Sequence, residues 1–290
     1  MKNLLMTVLV VGLTALPAMA QTPASAPGGT TPAPASSGHL PDRFQIDTGF
    51  FRVKSSTTLW LNTGSGVQSE VNFENDLGLQ PNTNTFWVDT AWRLSRRSTI
   101  KVALTSFSRK NSQTLTKTFT WNDKVYAAGL SATASLKTRI TSGYYRFALF
   151  KNDRFELGPA LGVGYLSFTP RIQASGSYTP PGGVTQTANL DVQATKGSIT
   201  GDIGVYFDAW VSRNVAVRGD YLYIKISPGS TTASITDYRL ALDVYPWASV
   251  GFGAQYKYNK YNFSADVLKS SLGGHLTYSG AQVYLSFLFK

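Results

Sequence analysis

The amino-acid sequence predicts an all-β fold, a transmembrane antiparallel up-and-down β-barrel of about ten strands. Three observations lead there. From residue 41 onward there is no 18-residue apolar run and no sustained helical period, whereas period-two alternation recurs between clusters of turn residues. Where the alternation is clearest, charges occupy one face and aliphatic or aromatic residues the other. That division suits a closed sheet with lipid outside and a polar lumen inside. The third observation is an export signal at the start: Met1-Lys2, an apolar stretch from Leu4 to Leu13, and the small-x-small site Ala18-Met19-Ala20.

Composition narrows the reading. The 290 residues include no Cys, 42% hydrophobic residues, 15% charged residues, 13% aromatic residues and 26 Gly. An exported chain without Cys has neither a disulfide framework nor thiolate metal ligands, so its stability must come from one large continuous element. The net charge is +11, which becomes +10 once Lys2 leaves with the signal peptide. Basic residues stand singly or in pairs and never in a run of five, which argues against nucleic acid. Phosphates of lipopolysaccharide are the polyanion that rim Lys and Arg would meet as charge-assisted contacts. Solvated surface charge is the plainer alternative.

In chain order, residues 1–20 form the signal peptide, whose apolar core falls short of the roughly 20 residues of a spanning helix. The mature chain begins at Gln21, and the absence of Cys there argues against lipoprotein processing. Residues 21–40 are nearly all Pro, Ala, Ser, Thr and Gly, a composition expected of a flexible periplasmic tail. Residues 41–290 form one barrel domain.

Within it, Phe155, Leu157, Leu161, Val163 and Tyr165 alternate with Glu156, Gly158, Gly162 and Gly164. Next, Ile199, Ile203, Val205 and Phe207 oppose Asp202, Tyr206, Asp208 and Trp210. Val217, Tyr221 and Tyr223 oppose Arg218 and Asp220, and Tyr238, Leu240, Leu242 and Val244 oppose Asp237, Arg239 and Asp243. Phe252, Tyr256 and Tyr258 oppose Gln255 and Lys257. Near Ser142-Gly143, Lys137 and Arg139 share the parity of Tyr145 and Phe147, so a β-bulge is expected there to turn the basic pair inward.

Tight turns are expected at Ser95-Arg96-Arg97-Ser98, Lys151-Asn152-Asp153, Ser212-Arg213-Asn214 and Pro246-Trp247-Ala248. Longer loops are expected near 63–83, 122–131, 176–187, 226–232 and 263–272. Four turns and five loops give ten strands. Eight or twelve are the alternatives, because Asn62-Thr63-Gly64-Ser65-Gly66 can read as a turn within the first segment. A strand over 98–121 would extend roughly 75 Å, so the wall should project beyond an apolar band of about 25 Å. Trp92, Phe150, Trp210, Tyr245 and Trp247 read as one aromatic girdle, with Tyr221, Tyr223 and Tyr258 further out.

A ten-stranded barrel has a backbone radius of about 10 Å, which side chains largely fill. The alternation assigns Asp89, Arg93, Lys101, Glu156, Asp202, Asp208, Arg218, Asp220, Asp237, Arg239, Asp243 and Lys257 to the lumen. Mixed signs favour an ion-paired plug over a conducting pore. Catalysis has little to build on. His39 lies in the tail, leaving His275 near Asp266, Ser270 and Ser271, and sequence neighbours do not establish a nucleophile with its base. No metal or cofactor is expected. The set Asn72, Glu74, Asn75 and Asp76 offers oxygen ligands but matches no calcium-loop spacing.

The last residues, Ala281-Gln282-Val283-Tyr284-Leu285-Ser286-Phe287-Leu288-Phe289-Lys290, place Val283, Leu285, Phe287 and Phe289 on one face. This ending resembles the assembly signal of outer-membrane barrels, which usually closes on Phe, and here Lys290 follows. Together with Asn75-Asp76-Leu77-Gly78-Leu79, Trp121-Asn122-Asp123 and Tyr144-Tyr145-Arg146-Phe147, residues 43–290 resemble the small outer-membrane β-barrel proteins of Gram-negative bacteria, of the OmpA and OmpW kind. The resemblance implies residence in the outer membrane, contact with its lipids and insertion by the barrel-assembly machinery, and it carries over no catalytic residue. The expected function is a non-enzymatic envelope-structural or surface-interaction role through projecting loops. The alternatives are a small passive channel for small solutes and, third, a lipid A or phospholipid-modifying enzyme.

Overall fold

A computed structural model describes residues 44–289 apart from 63–67, 122–123, 179–183, 194, 228–231 and 268–269. The expected signal peptide and Pro-rich tail lie outside these residues. The strands are β1 (Phe44–Asn62), β2 (Gln68–Asn72), β3 (Asn82–Arg93), β4 (Ser98–Thr114), β5 (Phe119–Trp121), β6 (Lys124–Tyr126), β7 (Ser131–Phe147), β8 (Phe150–Lys151), β9 (Phe155–Tyr178), β10 (Gln186–Gln193), β11 (Lys196–Trp210), β12 (Val215–Ile226), β13 (Thr232–Val244), β14 (Val250–Val267) and β15 (Ser270–Phe289). Ten of them close a ring in the order β1-β3-β4-β7-β9-β11-β12-β13-β14-β15, every neighbour antiparallel. β15 returns to β1 from Phe289 opposite Phe44 to Ser271 opposite Asn62, which removes both sheet edges.

All four expected tight turns connect ring strands at one end. The other end carries the long connections, where β2 folds back on β1, β5 pairs β6, and β10 pairs the upper part of β9. At 24 residues, β9 extends roughly 80 Å, so the wall outruns any bilayer. Apolar residues that stay exposed on the outer face, among them Phe50, Phe86, Leu104, Val163, Val205, Leu240, Leu242 and Val283, form a continuous belt near the tight-turn end. Such a surface is stable only against acyl chains.

Several expectations are corrected. The segment 98–121 is not one strand, because β4 ends at Thr114 and residues 119–121 belong to the β5/β6 hairpin, which is folded inward by Phe119, Trp121 and Tyr126. Residues 263–272 are not a loop over their length, since β14 and β15 stay paired as far as Val267 opposite Ser270. No bulge occurs at Ser142-Gly143. β7 keeps an unbroken register with both β4 and β9, so Lys137 and Arg139 point outward with Tyr145. The basic pair needs no inward turn, because β7 carries it above the apolar belt. Trp210 and Tyr245 are not girdle residues. Both share the parity of the lumenal charges, and their rings pack 5.3 Å apart inside the tight-turn mouth. Trp92, Phe150 and Trp247 do face outward there, and Tyr238 stacks on Tyr258 at 4.8 Å in the outer girdle.

Candidate functional site: a lumen in two layers

Inward positions along each strand change character with height. On β1, Gln45 and Asp47 are followed by Phe51, Val53 and Leu59, and on β13, Asp243, Arg239 and Asp237 are followed by Ile235. The lumen is therefore charged toward the tight turns and apolar toward the long loops.

In the charged layer, Arg218 sits between two carboxylates. It donates to Asp243 from Nε at 2.6 Å and from Nη2 at 2.7 Å, and Nη2 also reaches Asp47 at 3.3 Å. The Tyr284 hydroxyl donates to Asp243 at 2.6 Å, and Gln45 donates to Asp47 at 2.7 Å. One level up, Asp89 pairs with Lys101 at 3.1 Å and Arg239 at 3.2 Å, while Asp220 pairs with Arg239 and Arg146. Arg146 lies over the Tyr206 ring at 4.8 Å and within 3.8 Å of Asp208. Arg93 forks onto Glu156 at 2.8 and 3.2 Å, with Lys151 on the same carboxylate. Because strand spacing brings residues from non-adjacent strands across the lumen, these ion pairs tie opposite walls, as Arg218 on β12 does with Asp47 on β1. Such pairing and hydrogen bonding offset the desolvation cost of buried charges of both signs.

All twelve expected lumenal charges point inward, and ten of them make a described ion pair or hydrogen bond. Asp237 accepts from the Tyr144 hydroxyl at 3.1 Å. Asp202 and Lys257 stand within the layer without an ion pair inside 4 Å among the described residues. Sequence reasoning missed Asp47 and Arg146. Asp47 alternates with Phe44, Ile46, Thr48 and Phe50, a pattern legible in retrospect. Arg146 shares the inward parity of Tyr144, opposite to that of Tyr145 and Phe147, so its place too is legible in the alternation. A small cavity of about 30 Å³, room for a water or two, remains between Gln45, Asp89, Arg93, Arg146, Tyr206 and Trp210.

Above lies an apolar layer of Phe51, Phe107, Leu136, Leu166, Ile235 and Leu276, continued by Val71, Phe73, Leu77, Leu79, Leu115, Trp121, Tyr126 and Leu130 from the long connections and their short strands. Residues 71–79 thus fill the lumen as a plug. Arg109, buried on β4, fastens it. It pairs with Glu74 and donates to Thr57 Oγ1 at 2.7 Å, while the Thr57 amide donates to Glu74 at 2.8 Å. Asp76 is held by Lys117 at 2.8 Å, and Asn72 Oδ1 accepts from the amides of Glu74 and Asn75. The oxygens of Asn72, Glu74 and Asp76 are thus engaged by cations and backbone amides, and no metal-ligating cluster occurs among the described residues. Gly78 adopts φ +63°, a turn that a side chain would strain. Tyr126 in the cap donates to the Ile172 carbonyl at 3.4 Å, and burial pushes its hydroxyl pKa up to about 12.

His275 faces outward from β15. Its Nδ1 contacts Asn262 Oδ1 at 2.7 Å and its ring lies 4.8 Å from Trp60. The side chains of Asp266, Ser270 and Ser271 lie outside those described. Val283, Leu285 and Phe289 are exposed on the outer face, and Phe289 packs against Phe44 at 5.9 Å.

No protein-family model matches the chain, and no curated protein matches it by sequence. Among solved structures, it is similar to the outer membrane protease OmpT from Escherichia coli, with a TM-score of 0.53 at 13% identity, covering 86% of this chain and 97% of that one. The translocator domain of the autotransporter NalP from Neisseria meningitidis aligns with a TM-score of 0.40 at 12% identity over 87% of this chain and 90% of that one. The outer membrane protein OprG from Pseudomonas aeruginosa aligns at 0.32 and 10% identity over 87% and 98%. At such identities the likeness concerns the fold. With its closed ten-stranded ring, outer apolar belt and charged lumen, the chain has the fold of the Gram-negative outer-membrane β-barrel proteins.

Proposed function

We propose that this integral outer-membrane barrel is non-enzymatic, and that it serves the envelope as a closed, rigid pillar presenting its projecting wall and loops to the cell surface. The carrying observation is the filled lumen. An ion-paired layer occupies the periplasmic half, an apolar layer with the 71–79 plug occupies the outer half, and the Trp210/Tyr245 pair narrows the periplasmic mouth. A solute crossing it would have to displace both buried salt bridges and a packed apolar core.

The test is single-channel conductance of the purified protein in a planar bilayer, with Asp208→Ala and Arg218→Ala variants as probes of lumenal charge. A silent wild-type barrel supports the proposal. Steady openings whose size or ion selectivity changes in those variants would overturn it in favour of a passive channel, whose path would run through the small cavity beside Arg93, Arg146 and Tyr206. An enzymatic reading finds less support, since His275 has an amide oxygen and an indole as its described partners.

A further inference from the structure

The outer wall is electrostatically one-sided. On β15, β1, β3, β4 and β7 the sole acids are Asp47 and Asp89, and both point into the lumen. The same wall carries five exposed outward cations: Arg52 and Lys54 on β1, Lys110 on β4, and Lys137 and Arg139 on β7. None has an ion-pair partner among the described residues. Register places them together. Arg52 is opposite Asn84 and Lys54 opposite Asn82, while Lys137 is opposite Ser108 and Arg139 opposite Ser106. Lys110 lies diagonally across from Lys137, a separation of about 7–8 Å between such positions.

These cations begin where the apolar belt ends. Arg52 follows Phe50 on the outer face, and the Phe50 ring packs edge-on against Phe86 at 5.2 Å. The β3/β4 ladder stops at Trp87 opposite Thr105. Just there, the outer surface opens into a groove of about 260 Å³, in which Val88, Leu104 and Thr141 pair in one row across β3, β4 and β7 while Phe86, Ser106 and Arg139 stand two residues further along their strands toward the long loops. The groove thus joins exposed apolar residues of the belt, Phe86 and Leu104, to the first outward cation above them on β7, Arg139.

We propose that this groove and its cations form a binding site for lipopolysaccharide, an acyl chain lying against Phe86, Val88 and Leu104 while the glycolipid phosphates contact Arg139, Lys137 and Arg52. Several phosphates per molecule match several cations spread across β1 to β7, which a single-phosphate phospholipid does not. Arginine suits the role because its planar fork meets two phosphate oxygens at once. The proposal rests on the outer-membrane reading of the barrel and is independent of whether the lumen conducts.

The experiment measures binding of bisphosphorylated lipid A to the purified protein in phosphatidylcholine nanodiscs. Lys137→Gln/Arg139→Gln is compared with Lys225→Gln/Lys260→Gln, an equal loss of exposed outward charge elsewhere on the wall. Heat-modifiable gel mobility confirms that each variant is folded. The expected result is a loss of about tenfold or more in affinity for the first pair, equivalent to about 1.4 kcal/mol, with the second pair near wild type. Leu104→Trp, which fills the groove without changing charge, should also weaken binding. Equal losses in the two pairs, unchanged binding by Leu104→Trp, or equal affinity for dephosphorylated lipid A or phosphatidylglycerol would each overturn the site. A conducting barrel that still binds lipid A through Arg139 would refute the closed-lumen reading and leave this one standing.

Discussion

Removing Arg218 should destabilise the barrel more than any other single truncation in the charged layer near the tight turns. Its guanidinium bridges Asp243 at 2.6 and 2.7 Å and Asp47 at 3.3 Å, and the two carboxylate side chains are 0% and 5% exposed. Arg218→Ala leaves two like charges buried side by side with one cation gone. Breaking a buried pair from one side costs about 3–5 kcal/mol. The Tyr284, Gln45 and Ser286 side chains still hydrogen-bond around those carboxylates, which places the expectation toward the lower end, about 3 kcal/mol. The assay is equilibrium urea unfolding in lipid-detergent micelles, followed by tryptophan fluorescence and gel mobility. Adding Asp47→Asn and Asp243→Asn to Arg218→Met should restore most of the loss, since the charges are then removed together. A cost under about 1 kcal/mol for Arg218→Ala, the range of solvent-screened surface pairs, would refute the view that this layer is buried and interlocked.

Four further outcomes are expected. Arg109→Ala removes the clasp on Glu74 and Thr57, so limited proteolysis should cut within 70–81 faster than in wild type, with the ring strands intact. Gly280→Ala drives a Cβ into the Arg52 carbonyl oxygen at a φ of +155°, and should lower the urea midpoint by the equivalent of about 1–3 kcal/mol. Two hydrogen bonds from Arg171, at 2.9 and 2.6 Å, hold the Asp191 carboxyl below its ordinary value. Its support of the β9/β10 hairpin is therefore present above the unfolded value and lost as pH falls through the lowered folded one. Carboxyl NMR should find Asp191 titrating below ordinary Asp, and Arg171→Gln should erase the difference. Phe289→Ala should reduce outer-membrane yield in cells while refolding in micelles proceeds, because the side chain faces outward beside Phe44; unchanged yield would remove Phe289 from the assembly signal.

Much of the wall was legible because a strand's side-chain period is two and one phase error reverses a whole strand. Val205 against Asp208, or Leu242 against Asp243, declared inside and outside locally, and the tight turns at Arg96, Asn152, Arg213 and Trp247 supplied the connections. Where period and chemistry disagreed, reasoning from residue type failed. Residue type alone turns Lys137 and Arg139 inward, since cations avoid lipid, whereas the strand carries them past the belt. Trp210 and Tyr245 were sent outward because aromatics favour interfaces, when their parity keeps them inside.

The sequence by itself determined the barrel class, a wall of ten strands and the parity of the charges from Asp89 to Lys257, since each is written in local periodicity or turn chemistry. Only the tertiary structure decided which charges meet, that Asp47 and Arg146 join them, that residues 71–79 fill the outer lumen, and that Arg52 shares a wall with Arg139. Those facts depend on ring closure. Register across ten strands sets which residues reach one height and which walls face each other, and no local pattern contains that information.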